Sequence, residues 1–307
     1  MKHNVKITIV LVILFFIAQL MGLFVTSIYS QENVPFVDEE GIFQNASTYN
    51  LPYGMDPPTE MEPSMSVFSI MIALFIAVTL MLLLMKFNAA IFLKIWFLVV
   101  VVLGIALALN ATLISFENSA LIALAIAIPL GIIKIFQRNL IVHNATELLI
   151  YPGIAAVFIP LLSIPTTVFL LILISLYDMY AVWHAGFMQK MAKYQIQKLK
   201  IFSGFFVPYL DKKQRLALKK AKKSKSQKGK QIKVNVAILG GGDVVFPILL
   251  AGTVLHTMGL TQALIISVGA TMALTGLFMM SQKGKFYPAM PFISAGCLIA
   301  LAIAYII

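Results

Sequence analysis

Apolar residues in this chain gather into long runs that are separated by shorter polar stretches. Each run approaches the roughly 20 residues that an α-helix needs to cross the hydrocarbon core of a bilayer. Their unbroken Leu, Ile, Val and Ala content favours helices over barrel strands, in which apolar and polar residues alternate. The nine runs cover residues 5–29, 65–85, 91–114, 119–136, 147–162, 165–188, 234–256, 260–281 and 288–307. The pattern predicts an all-α polytopic membrane protein with nine transmembrane helices.

The composition favours a membrane protein over a soluble one. Of the 307 residues, 60% are hydrophobic and 11% are charged, whereas a soluble domain carries about 25% charged residues. The first run contains about 20 apolar residues, which exceeds the h-region of a typical signal peptide and favours a retained helix. The single cysteine, Cys297, excludes an intramolecular disulfide and a cysteine-rich metal site.

The positions of the basic residues predict the orientation of the helices. All 23 Lys and Arg residues fall into five groups that nine helices place on the same side of the membrane. These groups are Lys2 and Lys6, Lys86 and Lys94, Lys134 and Arg138, the segment 190–233, and Lys283 and Lys285. The first loop on the opposite side, residues 30–64, is acidic instead. Because basic loops stay in the cytoplasm, the N-terminus is predicted to be cytoplasmic and the C-terminus to lie outside.

A basic segment separates the first six helices from the last three. The predicted divisions are 1–189 with helices one to six, 190–233 as a cytoplasmic loop, and 234–307 with helices seven to nine. The loop holds 15 basic residues against one acidic residue, Asp211. Its low-complexity part, 211–233, is predicted to be disordered and to contact anionic lipid rather than nucleic acid. The apolar patch at 201–210 is expected to lie on the membrane or to fold back into the protein.

Two carboxylates lie inside the apolar runs, Asp178 in the sixth and Asp243 in the seventh. A charge at the bilayer centre costs about 2.5–3.5 kcal/mol on insertion scales, so such residues face the protein interior and mark functional sites. Asp178 lies 12 residues before Lys190 and Asp243 lies 10 residues after Lys233, which along helices amounts to about 18 and 15 Å. Adjacent antiparallel helices would hold the two carboxylates at nearly the same depth. Such a pair can share a proton and activate water for attack on a carbonyl group.

The neighbours of the aspartates also favour a site. Three consecutive glycines precede Asp243 and allow another segment of backbone to approach closely. Tyr177 places a hydroxyl group and a bulky ring next to Asp178. The last run opens with Pro288-Ala-Met-Pro291, whose prolines lack backbone N–H groups and expose carbonyls that can hold an extended segment.

These residues resemble the motifs of a known family. Tyr177-Asp178, Gly240-Gly-Gly-Asp243 and Pro288-Ala-Met-Pro291 look like the YD, GxGD and PAL motifs of the presenilin and signal peptide peptidase family. The motifs follow in order on the sixth, seventh and ninth predicted helices, and the resemblance covers essentially the whole chain. The long loop after the sixth helix and the cytoplasmic N-terminus are similar to presenilin. Met290 stands where the family motif has Leu.

The resemblance implies an intramembrane aspartyl protease, of the presenilin-like kind found in archaea and other prokaryotes, in the cell membrane. Asp178 and Asp243 would be the catalytic pair, and neither a metal nor a cofactor is expected. The substrates would be transmembrane proteins or signal peptides, whose unwound segment adds to the enzyme as a β-strand. A homo-oligomer is left open. The residues that would support the site and substrate approach are Tyr177, Gly240, Gly241, Gly242, Pro288, Ala289, Met290 and Pro291.

A proton- or cation-coupled transporter, or a cation leak channel, is the alternative from another class. Intramembrane carboxylates and broken helices also form cation sites in transporters, although this chain shows no internal repeat. Among proteases, the zinc motif His-Glu-x-x-His does not occur. Prepilin-type peptidases share the GxGD signature, but the Tyr-Asp and Pro-Ala-Met-Pro motifs argue against them.

Other polar residues near the runs are expected to have structural roles. His143, His184 and His256 show no metal-ligand spacing and are expected to be interfacial or packing residues. Glu147 stands at the predicted start of the fifth helix, where a carboxylate interacts favourably with the helix dipole.

Overall fold

The computed structural model of the chain is a helical bundle with two short β-hairpins. It describes residues 5–29, 32–37, 43–48, 51–55, 87, 89–137, 139–185, 203–209, 235–281 and 287–307, with scattered positions between 68 and 84. The α-helices among these residues are α1 (Val5–Ile28), α2 (Ala90–Thr112), α3 (Ser119–Phe136), α4 (Leu140–Phe158), α5 (Ile164–Tyr180), α6 (Gly241–Met258), α7 (Leu260–Met280) and α8 (Met290–Ile306). A π-helical turn, Ala181–Ala185, extends α5.

Most predicted helices are present close to their predicted positions. Within the described residues, the seven helices α1 to α7 are long and apolar enough to span a membrane, and α8 is a shorter apolar helix. The helical class is therefore confirmed. The predicted run at 65–85 falls largely outside the described residues, so the count of nine helices and the orientation of the termini stay predictions.

Two antiparallel hairpins add to the predicted helical architecture. Strands β1 (Glu32–Val37) and β2 (Phe43–Thr48) pair in the first long loop. Strand β3 (Gly204–Tyr209) pairs with β4 (Asn235–Gly240) directly before α6. The described part of the apolar patch, residues 203–209, therefore folds back into the protein. The low-complexity part at 211–233 lies outside the described residues, so its disorder stays a prediction.

The prediction that a helix begins at residue 234 is wrong, because residues 235–240 form β4 and α6 begins at Gly241. Along β4, the exposed Val236 and Ile238 alternate with the buried Ala237 and Leu239. All four residues are apolar, so the strand leaves no alternation of polarity in the sequence. The depth estimated for Asp243 used the rise of a helix, whereas a strand rises about 3.3 Å per residue.

Helix α1 lies inside the bundle and packs against α4, α6 and α7. Its Leu11 and Phe15 are fully buried. Helix α5 packs against α6 and α8, and α7 also packs against α6 and α8. The elements that carry the two aspartates and the Pro-Ala-Met-Pro motif therefore lie next to one another.

Two glycines allow α7 and α8 to approach closely. A Cβ atom on Gly296 would lie 2.8 Å from the carbonyl oxygen of Gly269, and a Cβ atom on Gly269 would lie 3.0 Å from that of Gly296. Small residues of this kind are typical of helix contacts in membranes, where lipid is as apolar as the helices themselves. This contact fixes α8, whose first turn reaches Asp178.

Candidate active site

Asp178 lies in the last turn of α5, and only 7% of its surface is exposed. Its Oδ2 atom accepts a hydrogen bond from the backbone N–H of Met290 at 3.1 Å. Met290 is the first residue of α8, and the first N–H groups of a helix have no partner inside it. The start of α8 therefore gives this carboxylate an unpaired donor and the positive end of a helix dipole.

The Pro-Ala-Met-Pro motif thus reaches the site through an N–H group rather than through the exposed carbonyls expected from the sequence. Pro291 occupies the second position of α8, where the missing N–H breaks no helical hydrogen bond. Pro288 is buried and Ala289 lines a cavity beside Asp243. Because Met290 contacts Asp178 through its backbone, the replacement of the family's Leu does not alter this hydrogen bond.

A second contact between α5 and α8 lies one turn away from Asp178. The hydroxyl of Ser175 donates to the hydroxyl oxygen of Ser294 at 2.8 Å, and both side chains are buried. Ser294 also donates to the carbonyl oxygen of Leu171 at 3.4 Å. Buried hydroxyl contacts between membrane helices contribute about 0.6 kcal/mol each. Together with the Met290 contact, they hold α8 in register against the end of α5.

Asp243 lies in the first turn of α6, directly after the three glycines. Its carboxylate is oriented towards Gly240, since a Cβ atom there would lie 3.1 Å from Asp243 Oδ2. The negative charge also stands at the positive end of the α6 dipole. Asp178 lies on α5, which packs directly against α6. The structure thus brings together the two aspartates that the sequence singled out.

The three glycines before Asp243 differ in their surroundings. A Cβ atom on Gly241 would lie 2.7 Å from Ser203 Oγ and 3.0 Å from the ring of Tyr151. A Cβ atom on Gly242 would meet its nearest neighbour, the Phe246 ring, at 3.7 Å, which is an ordinary contact. Close packing therefore depends on Gly240 and Gly241, whereas Gly242 is exposed and leaves room beside Asp243.

Tyr177 faces different surroundings from its neighbour Asp178. Its side chain is 47% exposed, whereas Asp178 is nearly buried. Successive residues on a helix point about 100° apart, so Tyr177 lies on the outer side of α5. Its expected role in supporting the site stays a prediction.

A cavity of about 430 Å³ opens beside Asp243. Its walls come from β4, from Tyr209 at the end of β3, from the end of α7 and from the residues that lead into α8. Most of the lining is apolar, and it includes Val236 and Ile238 from the exposed face of β4. Ligand sites typically have this size and this character, with few polar groups among apolar ones. The arrangement suits an apolar chain segment placed next to a carboxylate.

Comparison with known proteins identifies the family of this chain. The family model described as signal-peptide peptidase, presenilin aspartyl protease matches residues 42–307. The chain belongs to this family. No curated protein sequence matches the chain.

Solved structures of the presenilin family share the fold. The chain aligns with a presenilin family intramembrane aspartate protease in the C222 space group at a TM-score of 0.60 and 16% identity, covering 97% of this chain and 98% of that chain. A second structure, of a presenilin family intramembrane aspartate protease in the P2 space group, aligns at a TM-score of 0.59 and 14% identity, covering 96% of both chains. Because the sequence identities are only 16% and 14%, these alignments show that the chain shares the fold of the two structures and nothing beyond the fold.

Among the described residues, no group of three or more His, Cys, Asp and Glu side chains is placed to hold a metal ion. His143 packs against Phe206 with ring centroids 4.7 Å apart, as expected for a packing residue. The side chain of His184 lies outside the described part of the chain. His256 lines a small pocket between α1 and α4, far along α6 from Asp243.

Gln19 on α1 is a polar contact of the site region that sequence reasoning missed, and it lies outside the residues that the family model matches. Its side chain is fully buried, and its Nε2 donates to the carbonyl oxygen of Val244 at 3.1 Å. Val244 follows Asp243 directly. The side-chain amide of Gln19 inside the first apolar run could have indicated a contact with another helix, because buried polar groups in a membrane helix require partners.

Glu147 was also assigned wrongly from the sequence. Helix α4 begins at Leu140, so Glu147 stands two turns inside it rather than at its start. The carboxylate is fully buried and forms an ion pair with Lys134 of α3 at 2.6 Å. Its partner is therefore a lysine and not the helix dipole.

Proposed function

We propose that this family member hydrolyses peptide bonds within the transmembrane segments of its substrates, with Asp178 and Asp243 as its catalytic residues. Family membership and the presenilin fold support an aspartyl protease. The observation that supports the assignment to these residues is their placement on the packed helices α5 and α6, with Asp178 held by the start of α8. Neither the family nor the fold supports the transporter or channel alternative.

The proposed mechanism uses one proton shared by the two carboxyl groups. Two carboxylates that face each other at close range do not both ionise easily, so in the proposed mechanism one is ionised and the other is protonated. The ionised group takes a proton from water, whose oxygen attacks the scissile carbonyl carbon, while the protonated group donates to the carbonyl oxygen. The tetrahedral intermediate then collapses as a proton moves to the amide nitrogen and the C–N bond breaks. The products are a carboxylic acid and an amine.

We further propose that the substrate binds as an extended strand along β4. In the described part of the chain, β4 pairs with β3 on one edge only. The cavity beside Asp243 includes exposed side chains of β4, so a third strand would lie next to the carboxylate. A helical substrate must unwind before water can reach its backbone, and strand addition replaces the hydrogen bonds that unwinding breaks.

The proposed setting is the cell membrane of a prokaryote. With a cytoplasmic N-terminus, single-span substrates that have their N-terminus outside are the expected class, together with signal peptides. The basic segment 190–233 would contact anionic lipid. Assembly into a homo-oligomer remains open in this proposal.

The test is cleavage of a single-span reporter by the purified protein in bilayer nanodiscs. Asp178→Asn and Asp243→Asn should each lower the rate at least about 100-fold, which is the contribution expected of a general acid or base. Glu117→Gln is a matched control, because it also replaces a carboxylate by an amide but at an exposed position between α2 and α3. Full activity in either aspartate variant, or no cleavage by the parent of reporters in either orientation, would contradict the proposed function.

A further inference from the structure

A cluster of buried polar side chains lies where α3 packs against α4, next to the site, but takes no part in the proposed chemistry. Lys134 and Glu147 pair with only 3% and 0% of their side chains exposed. His143 Nε2 lies 3.5 Å from the same Glu147 oxygen. Moving two charges out of water costs about as much free energy as their attraction gains. A buried ion pair is therefore weak evidence that the pair stabilises the fold. The cluster therefore requires another explanation.

Three residues of α4 contact strand β3 and the residue before it. The imidazole Nε2 of His143 lies 2.8 Å from the carbonyl oxygen of Gly204. Asn144 uses both atoms of its amide group on Phe206, donating to its carbonyl oxygen at 2.8 Å and accepting from its N–H at 2.9 Å. The hydroxyl of Ser203 lies 3.5 Å from Glu147 Oε2. We call His143, Asn144 and Glu147 the α4 clamp.

The contacted end of β3 is the end that lies beside the glycines before Asp243. Gly204 is the cross-strand partner of Gly240, and the N–H of Gly241 donates to the carbonyl oxygen of Ser203 at 3.3 Å. Tyr151, one turn beyond Glu147 on α4, packs its ring edge against Phe205 at 5.4 Å between centroids. A continuous set of contacts thus runs from α4 through β3 to the residues that precede Asp243.

We propose that the α4 clamp is a set of positioning residues that fixes the place of β4 relative to Asp243, and thereby selects which substrate bond is cut. The inference rests on the proposed function, in which β4 receives the substrate strand. A displacement of one residue along a strand moves a carbonyl group by about 3.3 Å. Catalytic geometry tolerates far less, since a misplacement of about 1 Å can cost 100-fold in rate. A strand that both borders the catalytic residue and binds substrate therefore needs an anchor outside itself.

The anchor acts on β3 because β4 must keep one edge for substrate. Asn144 bonds to Phe206 as a neighbouring strand would, with one donor and one acceptor. Helix α4 thereby occupies the outer edge of β3 and leaves the edge of β4 beside the cavity. The clamp thus sets the position of the hairpin without blocking the proposed substrate strand.

The experiment compares Asn144→Ala and Glu147→Gln with the parent in nanodiscs. A matched control is Thr146→Val, which removes a buried hydroxyl of α4 that bonds only within the helix, to the carbonyl oxygens of Val142 and His143. Three quantities are measured: hydrogen exchange of the amides at 204–209 and 235–240, kcat and KM separately, and the cut bonds by mass spectrometry. We expect faster exchange in both strands, kcat/KM lowered about 10-fold, and new cuts displaced by one or more residues, with the control unchanged.

A double variant keeps the test decisive if Glu147→Gln does not fold. Lys134→Met with Glu147→Leu replaces the ion pair by apolar residues, a change that buried pairs often tolerate. It still removes the contact to Ser203, so the same redistribution of cuts is expected. A purely structural role would lower the unfolding temperature and leave the cut bonds in place.

Each outcome separates this inference from the proposed function. An active parent with variants that fold, cleave at the parental bonds and keep the parental kcat/KM would overturn the positioning role and leave the protease assignment intact. Unchanged hydrogen exchange in β3 and β4 would overturn it as well. An inactive parent would overturn the proposed function, and the inference that rests on it would fall with it.

Discussion

At the scale of single residues, Gly241 is the one of the three glycines before Asp243 that leaves least room for a side chain. Gly241→Ala would place a methyl group 2.7 Å from Ser203 Oγ and 3.0 Å from the Tyr151 ring. The hydroxyl can rotate away, but the ring lies in a packed core and can move little. We expect a loss of about 1–3 kcal/mol in the free energy of unfolding, as for other overpacked sites, and a lower rate of reporter cleavage because α6 starts here.

The matched substitution is Gly242→Ala, one residue closer to Asp243. Its methyl group would meet only the Phe246 ring at 3.7 Å, and alanine in a helix is favoured over glycine by about 0.5–1 kcal/mol. Thermal unfolding and cleavage rate, measured side by side, check both expectations. Equal losses in the two variants would contradict the expectation that crowding at Gly241 limits this turn.

The hydrogen bond between Met290 and Asp178 does not depend on the side chain at position 290. The donor is a backbone N–H, so any residue except proline supplies it. The prolines at 288 and 291 instead determine where α8 starts. The Pro-Ala-Met-Pro motif therefore contributes to the site by setting the backbone position of the Met290 N–H group.

At the scale of elements, the close contact of α7 and α8 controls the position of the first turn of α8. Gly296→Ala would bring a methyl group within 2.8 Å of the Gly269 carbonyl oxygen and would separate the helices. We expect a loss of stability of about 1–3 kcal/mol and slower cleavage, because the Met290 donor moves away from Asp178. Gly276→Ala is the control. Gly276 lies on α7, as Gly269 does, and a Cβ atom there has no neighbour within 4 Å. Comparable slowing by both variants would contradict the role of this contact.

The helices with uniformly apolar sequences were predictable, because an apolar run of about 20 residues is by itself enough to predict a transmembrane helix. The predicted runs at 119–136 and 260–281 correspond to Ser119–Phe136 and Leu260–Met280. Strand β4 was not predictable, because residues on both of its faces are apolar and the period of two disappears. The true start of α4 was hidden for the opposite reason, because His143 and Asn144 interrupt the apolar pattern although they lie in the helix.

The candidate site was predictable only in its chemically unusual residues. A carboxylate in an apolar run stands out, and so do three glycines in a row, so Asp178, Asp243 and Gly240–Gly242 could be named from the sequence. The contacts of Gln19 and of the α4 clamp join segments that are far apart in the chain. Without a fold, nothing in the sequence relates Asn144 to Phe206 or Gln19 to Val244.

At the scale of the whole molecule, the orientation in the membrane is open to direct measurement. The native Cys297 is fully buried, so single cysteines placed elsewhere give a clean signal. With the N-terminus in the cytoplasm, Thr59→Cys should react with an impermeant maleimide added to intact cells. Lys2→Cys should react only after the membrane is permeabilised. The reverse pattern would invert the topology and, with it, the expected orientation of the substrates.

The ion pair between α3 and α4 has a consequence for how the protein enters the bilayer during synthesis. A lone charge in a transmembrane helix raises the free energy of insertion by about 2.5–3.5 kcal/mol at the helix centre. Lys134 and Glu147 carry opposite charges on helices joined by only three residues, 137–139, and the pair closes across that turn. We expect this pairing to favour insertion of α3 and α4 together, as a helical hairpin. Glu147, one of the three residues of the α4 clamp, would thus also influence the order in which the helices enter the bilayer.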